Sequence, residues 1–299
     1  MSTPQPGIFA QGTRSHHHLE LDLRSGVEPA AVGSALGVLA DPAVTAGGTN
    51  SVVGFGAALW HRLAPDDAPT LLTPFEEVRG PAGAVPATPH DLWVWIHGSG
   101  PDVVLDHARA VVGGLAEVAD LAAEQACFVY HDSRDLTGFI DGTENPPVET
   151  ASDVATIPDG EPGAGGAFAL TMRWRHDLSA FEALSVAEQE AVIGRTKADS
   201  VELDPNPATS HVSRVVVHDD DGEELELYRR SAPWGNVGEQ GLYFVAFSAD
   251  PTRFRRMLER MFGAAGDGIH DRLTDFSVPL SASGYFAPSL EALSALSGP

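Results

Sequence analysis

The order in which strand-like and helix-like stretches follow one another constrains this chain more than any other feature. "SHHHLELDLR" (15–24) alternates in strand fashion, with Leu19, Leu21 and Leu23 on one face. A helix-like stretch follows near Glu28–Leu39, then a strand near Ser51–Leu59 and the strand "LWVWIHG" (92–98). Pro101 opens an amphipathic segment that the spacing of Val104, Val111, Leu115, Val118 and Leu121 carries to about Gln125. "ACFVYHDSR" closes the unit as a strand, giving β-α-β-β-α-β, the split βαβ or ferredoxin-like arrangement.

A second pass begins after a Gly- and Pro-rich connection. "AFALTMRWRHDL" (167–178) reads as a strand, and "LSVAEQEAVIGRTKA" (184–198) as a helix with Ser185 as N-cap and Glu188 completing a capping box. "HVSRVVVHD" and "ELELYRR" read as a hairpin around Asp220–Gly222, "GLYFVAFSA" as a strand, and "PTRFRRMLERMFG" as the last helix. The expectation is an α+β protein of two duplicated ferredoxin-like domains with antiparallel sheets, residues 1–137 and 167–299, joined by a connecting loop over 138–166. Sequence similarity between the halves is faint, so the duplication rests on element order.

Composition removes several classes of partner. The chain carries 42 acids against 18 bases, a formal net charge of −24, which disfavours nucleic acid and anionic membrane and favours cations. The opening "MSTPQPGIFAQGTRS" has no basic stretch followed by an apolar one, and no run approaches about 18 apolar residues, so a cytoplasmic protein is expected. The single cysteine, Cys127, can form neither an internal disulfide nor a zinc–cysteine cluster and reads as a buried small hydrophobe. The three histidines 16–18 look like a metal tract, but successive strand residues point to opposite faces, so a surface strand is the reading.

Motifs for zinc proteases, phosphate-binding loops and nucleophile elbows are absent. "GFIDGTENPP" (138–147) packs Asp141, Glu144 and Asn145 into a loop where Asp-Gly and Asn-Pro are turn dipeptides. An EF-hand fails there, because the sixth position must be Gly and is Pro146. On the residues alone a plain turn comes first, and whether Asp141 does chemistry stays open. His211, Arg214, Arg229 and Arg230 are polar groups embedded in apolar stretches of the second half. For His211 the bland reading is a satisfied core histidine, and for a strand arginine a surface or ion-pair role.

"GFIDGTENP", "SHVSR", "LYRRSAPWG", "GLYFVAFSADP" and "DRLTDFS" together resemble the dye-decolourising peroxidases, most closely their bacterial B-type (P-type) branch. The resemblance spans nearly the whole chain. It implies paired ferredoxin-like domains, a non-covalent haem b held by the second half, and one-electron oxidation of small-molecule reductants by hydrogen peroxide. His211 matches the proximal haem ligand, with Asp275 in "RLTDF" as the carboxylate that fixes its tautomer and Arg214 as a further cofactor contact. Asp141 matches the distal proton relay and Arg229 the distal cation, with Arg230 on the opposite face of its strand. An ordinary Asp would favour acid conditions unless burial raises its pKa.

Two residues beyond the distal arginine the branch usually carries Asn, and this chain has Ser231, whose hydroxyl reaches less far. Glu144 and Glu224 correspond to acidic positions that in some relatives are tied to manganese, to be weighed against a solvated acidic surface. Trp174, Trp234, Tyr228 and Tyr243 are candidates for relaying electrons from bulky reductants at the surface, or core filling. Relatives imply a homo-oligomer. Competing readings are removal of iron from haem, and haem or iron binding without turnover as encapsulin cargo. Against cargo status, "LEALSALSGP" shows no long targeting extension.

Overall fold

A computed structural model describes residues 2–36, 48–219 and 221–296. The first half runs β1 (Ser15–Leu23), α1 (Pro29–Ala35), β2 (Thr49–Phe55), α2 (Ala57–Leu63), the small hairpin β3 (Val78–Gly80) and β4 (Gly83–Val85), β5 (Leu92–Gly98), α3 (Pro101–Leu115) and β6 (Ala119–Phe128). After a short α4 (Ala151–Ala155), the second half runs β7 (Ala167–His176), α5 (Leu178–Glu182), α6 (Val186–Ile193), α7 (His211–Val215), β8 (Tyr228–Arg229), β9 (Ala232–Gly235), β10 (Gln240–Ser248), α8 (Thr252–Met261), β11 (Ser277–Ala287) and α9 (Leu290–Leu296). The final positions of the helix expected up to Leu39, and Asp220 of the expected hairpin turn, lie outside the described residues.

Each half has the ferredoxin-like strand order, with its first and third strands central and its second and fourth at the edges: β6-β1-β5-β2, then β11-β7-β10 flanked by β8 and β9. The two half-sheets are continuous, because edge strands β2 and β11 pair antiparallel through Phe55 and Phe286. One face carries the helices and a core that includes Leu19, Leu21, Val111, Leu115, Met257 and Leu258. On the other face the half-sheets bury a second core around Trp93, Trp95, Tyr243, Phe247 and Tyr285. Each large side chain fully buried there contributes roughly 1.5–3 kcal/mol.

Several local expectations change. His16, His17 and His18 are buried, because β1 is paired on both sides and covered on both faces. His16 and His18 share the inter-sheet face, where His18 stacks on Tyr243 with centroids 4.0 Å apart, while His17 on the helical face meets Glu124 at 3.1 Å. The helix expected to reach Gln125 stops at Leu115, once Val104, Ala108, Val111 and Leu115 have used its apolar face. The following segment becomes edge strand β6 by pairing with β1. The Ser185–Glu188 capping box is present, and α6 stops at Gly194, which adopts the left-handed conformation with φ 96°. "HVSRV", read as a strand from its β-branched residues, is helix α7, because Ser210 caps it by accepting from the Ser213 N–H.

Candidate active site

The loop from Ser133 to Pro147 is built to present one carboxylate. Asp141 N–H donates to the Ser133 carbonyl at 3.0 Å, and Arg134 bridges to Ile140 across the loop while donating to the carbonyls of Gly138 (2.9 Å) and Lys197 (2.7 Å). Gly138 turns the chain at φ 88°, where a Cβ would sit 2.7 Å from the Lys197 side chain. Phe139 packs into an apolar cluster with Phe181, Val192 and Ile193, which anchors the loop beside Asp141. Gly142 (φ 76°) begins the next turn, closed by Asn145 N–H to the Gly142 carbonyl at 3.3 Å. Asn145 then clasps the backbone of Arg229: its Nδ2 donates to the Arg229 carbonyl (2.8 Å), and the Arg229 N–H donates to its Oδ1 (2.9 Å).

Asp141, Arg229 and Ser231 stand between two cavities. The inner one lies between the helical face of β7, β10 and β11 and helices α7 and α8, and holds about 710 Å³ of space not filled by atoms, its mouth included. Its walls are Met172, Trp174, Leu242, Phe244, Met257, Leu258, Met261 and Leu273, with His211 on the α7 side. The outer cavity, about 1080 Å³ counted the same way, is lined among others by Gln11, Arg14, Tyr130 and Arg230.

His211 is held by a buried carboxylate. Its Nδ1 lies 2.7 Å from Oδ2 of Asp271, whose side chain is fully buried and whose Oδ1 accepts from the Leu273 N–H at 2.8 Å. The expected partner Asp275 is displaced from that role: it is exposed and meets His270 at 3.1 Å. Asp271 takes its place because it caps the short 3-10 turn Arg272–Asp275, which aims its second oxygen back at α7. No described residue hydrogen-bonds His211 Nε2, so the fixed imidazole offers that nitrogen to an apolar cavity. An apolar slot with one oriented imidazole donor suits a flat, largely apolar iron macrocycle.

On the facing wall, protein crowded around Asp141 raises its carboxyl above the ordinary carboxylate range. The Arg229 guanidinium opposes that rise and the Asp135 charge adds to it. Asp141 does have open surface, but this surface borders the two cavities. Asp135 is pulled the other way: burial works to raise it, yet the charge of His176 and hydrogen bonds from Thr137 outweigh burial and bring it down to about 2. His176 itself lines the inner cavity, with Nε2 3.3 Å from Asp135 Oδ1 and Nδ1 2.7 Å from Ser277 Oγ.

The remaining expected site residues divide clearly. Ser231 lines both cavities, its Oγ accepting from the Val245 N–H at 3.3 Å. Arg214 is not at the inner cavity. Its guanidinium is consumed by Asp267 (2.7 Å) and the Arg260 carbonyl (3.0 Å), so it ties α7 to α8 rather than holding a cofactor. Arg230 points away from Arg229 as expected, donating to the carbonyls of Ile8 and Ala10 and lying over Trp95. Glu144 is engaged by Arg195 at 2.8 Å and Glu224 is exposed. Among the described residues no group of three or more His, Cys, Asp or Glu side chains is placed to hold a metal ion.

Trp174, Trp234, Tyr228 and Tyr243 are all buried, and of these Trp174 walls the inner cavity. Cys127 is buried as expected, which pushes its thiol up. Sequence reasoning missed Asp271, the His176–Asp135 pair and the clasp by Asn145. Only Asp271 left a local signal, an Asp in N-cap position ahead of "RLTD".

Comparisons with known proteins converge on one family. A family model described as Dyp-type peroxidase, C-terminal, matches residues 132–292, and its N-terminal counterpart matches residues 41–129. The dye-decolorizing peroxidase of Mycobacterium tuberculosis is 40% identical over 247 residues, covering 81% of this chain and 74% of the relative. A solved structure of a putative dyp-type peroxidase protein from Shewanella oneidensis superposes with a TM-score of 0.94 at 32% identity, over 99% of both chains. A DypB variant from Rhodococcus jostii RHA1 in complex with heme superposes with a TM-score of 0.91 at 35% identity, over 98% of each.

Proposed function

Because the chain belongs to the Dyp-type (dye-decolourising) peroxidase family, we propose that its two facing walls divide the work, His211 holding the cofactor and Asp141, Arg229 and Ser231 acting on peroxide. The protein is a haem-dependent peroxidase that reduces hydrogen peroxide and oxidises dyes or phenolic compounds in one-electron steps, with haem b bound non-covalently. When bound, haem supplies an iron that collects electrons from reductants singly and delivers them to peroxide.

The protein supplies position, protons and charge. His211 ligates through Nε2 while Asp271 holds the other nitrogen, fixing the ring and making it a stronger donor. Asp141 takes a proton from one oxygen of peroxide and returns it to the other, so that water leaves. Arg229 is a permanent cation beside that transfer and stabilises the negative charge that develops on oxygen. Ser231 contributes one hydroxyl to the same polar patch. The Met, Leu, Phe and Trp walls keep water from the remaining sides.

The observation that carries this reading is the pairing of an oriented imidazole on one wall with an Asp and an Arg on the other. A protein that only handled haem or iron would have no use for that Asp–Arg pair. His211→Ala should lose haem absorption, whereas Arg229→Ala should keep it and lose turnover by about 10²–10³-fold. Haem retained by His211→Ala with its spectrum unchanged, or full turnover in Arg229→Ala, overturns the assignment.

A further inference from the structure

The outer cavity reverses the charge of the molecule that contains it. The chain carries a net −24, yet the charged groups around this cavity are Arg14, Arg134, Arg229 and Arg230 against Asp141 alone. Arg134 is largely neutralised by Asp132, 3.0 Å away. The other three have no carboxylate within ion-pair distance among the described residues: Arg230 spends its donors on two backbone carbonyls, and Arg229 Nε is buried without a partner. His16 is neutral at neutral pH and adds no charge of its own, since burial first and Arg230 second bring its imidazole down to about 4.

Distance decides which charge an approaching molecule feels. The distributed acids act across solvent and are screened beyond about 8 Å at physiological ionic strength. Within a half-open concave wall, arginines that face a molecule in the cavity act at short range and are screened less. Arg14 is exposed at the rim, and Arg229 and Asp141 border the inner cavity, so the positive potential runs from entrance to reaction site. The space is ample for one aromatic ring, which fits a cavity of about 150 Å³.

We propose that this outer cavity is the reductant site and that it selects small anionic aromatics, single-ring phenols bearing a carboxylate, over neutral or cationic ones. The inference rests on the peroxidase reading and names the substrate class of the same site. The chemistry balances: two phenols each give up one electron and one proton, and one hydrogen peroxide accepts both pairs, yielding two phenoxyl radicals and two waters. It also runs against the attraction to cations that the net charge alone would suggest.

The test measures kcat/KM of the haem-loaded enzyme with peroxide for 4-hydroxybenzoate and, as neutral reference, 4-hydroxybenzamide. Because the two rings differ in intrinsic ease of oxidation, the change in the ratio is the readout. We expect the anion-to-neutral ratio to fall by roughly tenfold when salt is raised from about 10 mM to 1 M, the low end of electrostatic steering. Arg14→Gln should lower the low-salt ratio several-fold, and Arg14→Lys should restore most of it. A ratio that rises with salt, or that Arg14→Gln leaves unmoved, overturns the proposal while both compounds are still oxidised. Failure of both compounds to be oxidised in haem-loaded protein overturns the peroxidase reading instead.

Discussion

Asp141 is asked to be a base beside a cation and a second acid, and its neighbours set where it titrates. Arg229, Asp135 and His211 are the charged groups that bear on it, and crowding by protein leaves its carboxyl above the ordinary range. Since the ionised form accepts the proton, the peroxide step should slow as pH falls through that raised value. Asp141→Asn should remove this acid limb and lower the rate by about 10²–10⁴-fold with haem still bound. For stability the sign is opposite: a carboxyl raised in the folded protein is destabilising once ionised, so Asp141→Asn should be the more stable protein at neutral pH. Asp135→Asn removes a negative neighbour, and the acid limb of the pH–rate profile should move to lower pH; an unmoved limb would mean Asp135 does not act on Asp141.

Residue identity at this site was partly legible. Asp141, Arg229 and His211 stood in motifs specific enough to be assigned by resemblance. Asp271 and Asp275 lie four residues apart in one segment, and only the cap geometry chose between them. Asp271→Asn should weaken haem retention or activity by about 10–100-fold, whereas Asp275→Asn should be near wild type in the same assay.

At the scale of elements, the site depends on two pieces distant in sequence being fastened together. Asn145 joins the Asp141 loop to β8 through both backbone groups of Arg229. Asn145→Ala leaves those groups without partners and should cost about 1–3 kcal/mol. Turnover should fall more than haem binding, because the proton relay and the cation lose their common frame while α7 does not. Equal loss of haem and turnover on titration with haem would contradict that separation. Elements with a strong local signal, such as the capping box of α6, were readable in advance. Helix α7 was not: the valines around His211 favour strand, and the decision came from the Ser210 cap and from packing against α8.

For the whole molecule, two ferredoxin-like halves were visible in the element order, but their union into one sheet was not, since it runs through one residue pair with no pattern of its own. Phe286 is fully buried at that seam, against Trp60 and Phe168. Phe286→Ala should cost about 3–5 kcal/mol, seen in urea unfolding; a cost below 1 kcal/mol would show the seam to be unimportant. The charge distribution was equally hidden, because a total of −24 says nothing about where the arginines gather. We propose that this scaffold holds haem through His211 and processes peroxide with the Asp141–Arg229 pair. Stopped-flow absorption of the haem-loaded protein mixed with hydrogen peroxide tests it most directly. A rapid change in the Soret band that a phenolic reductant reverses is expected, and a Soret-absorbing protein whose spectrum peroxide leaves unchanged would contradict the proposal.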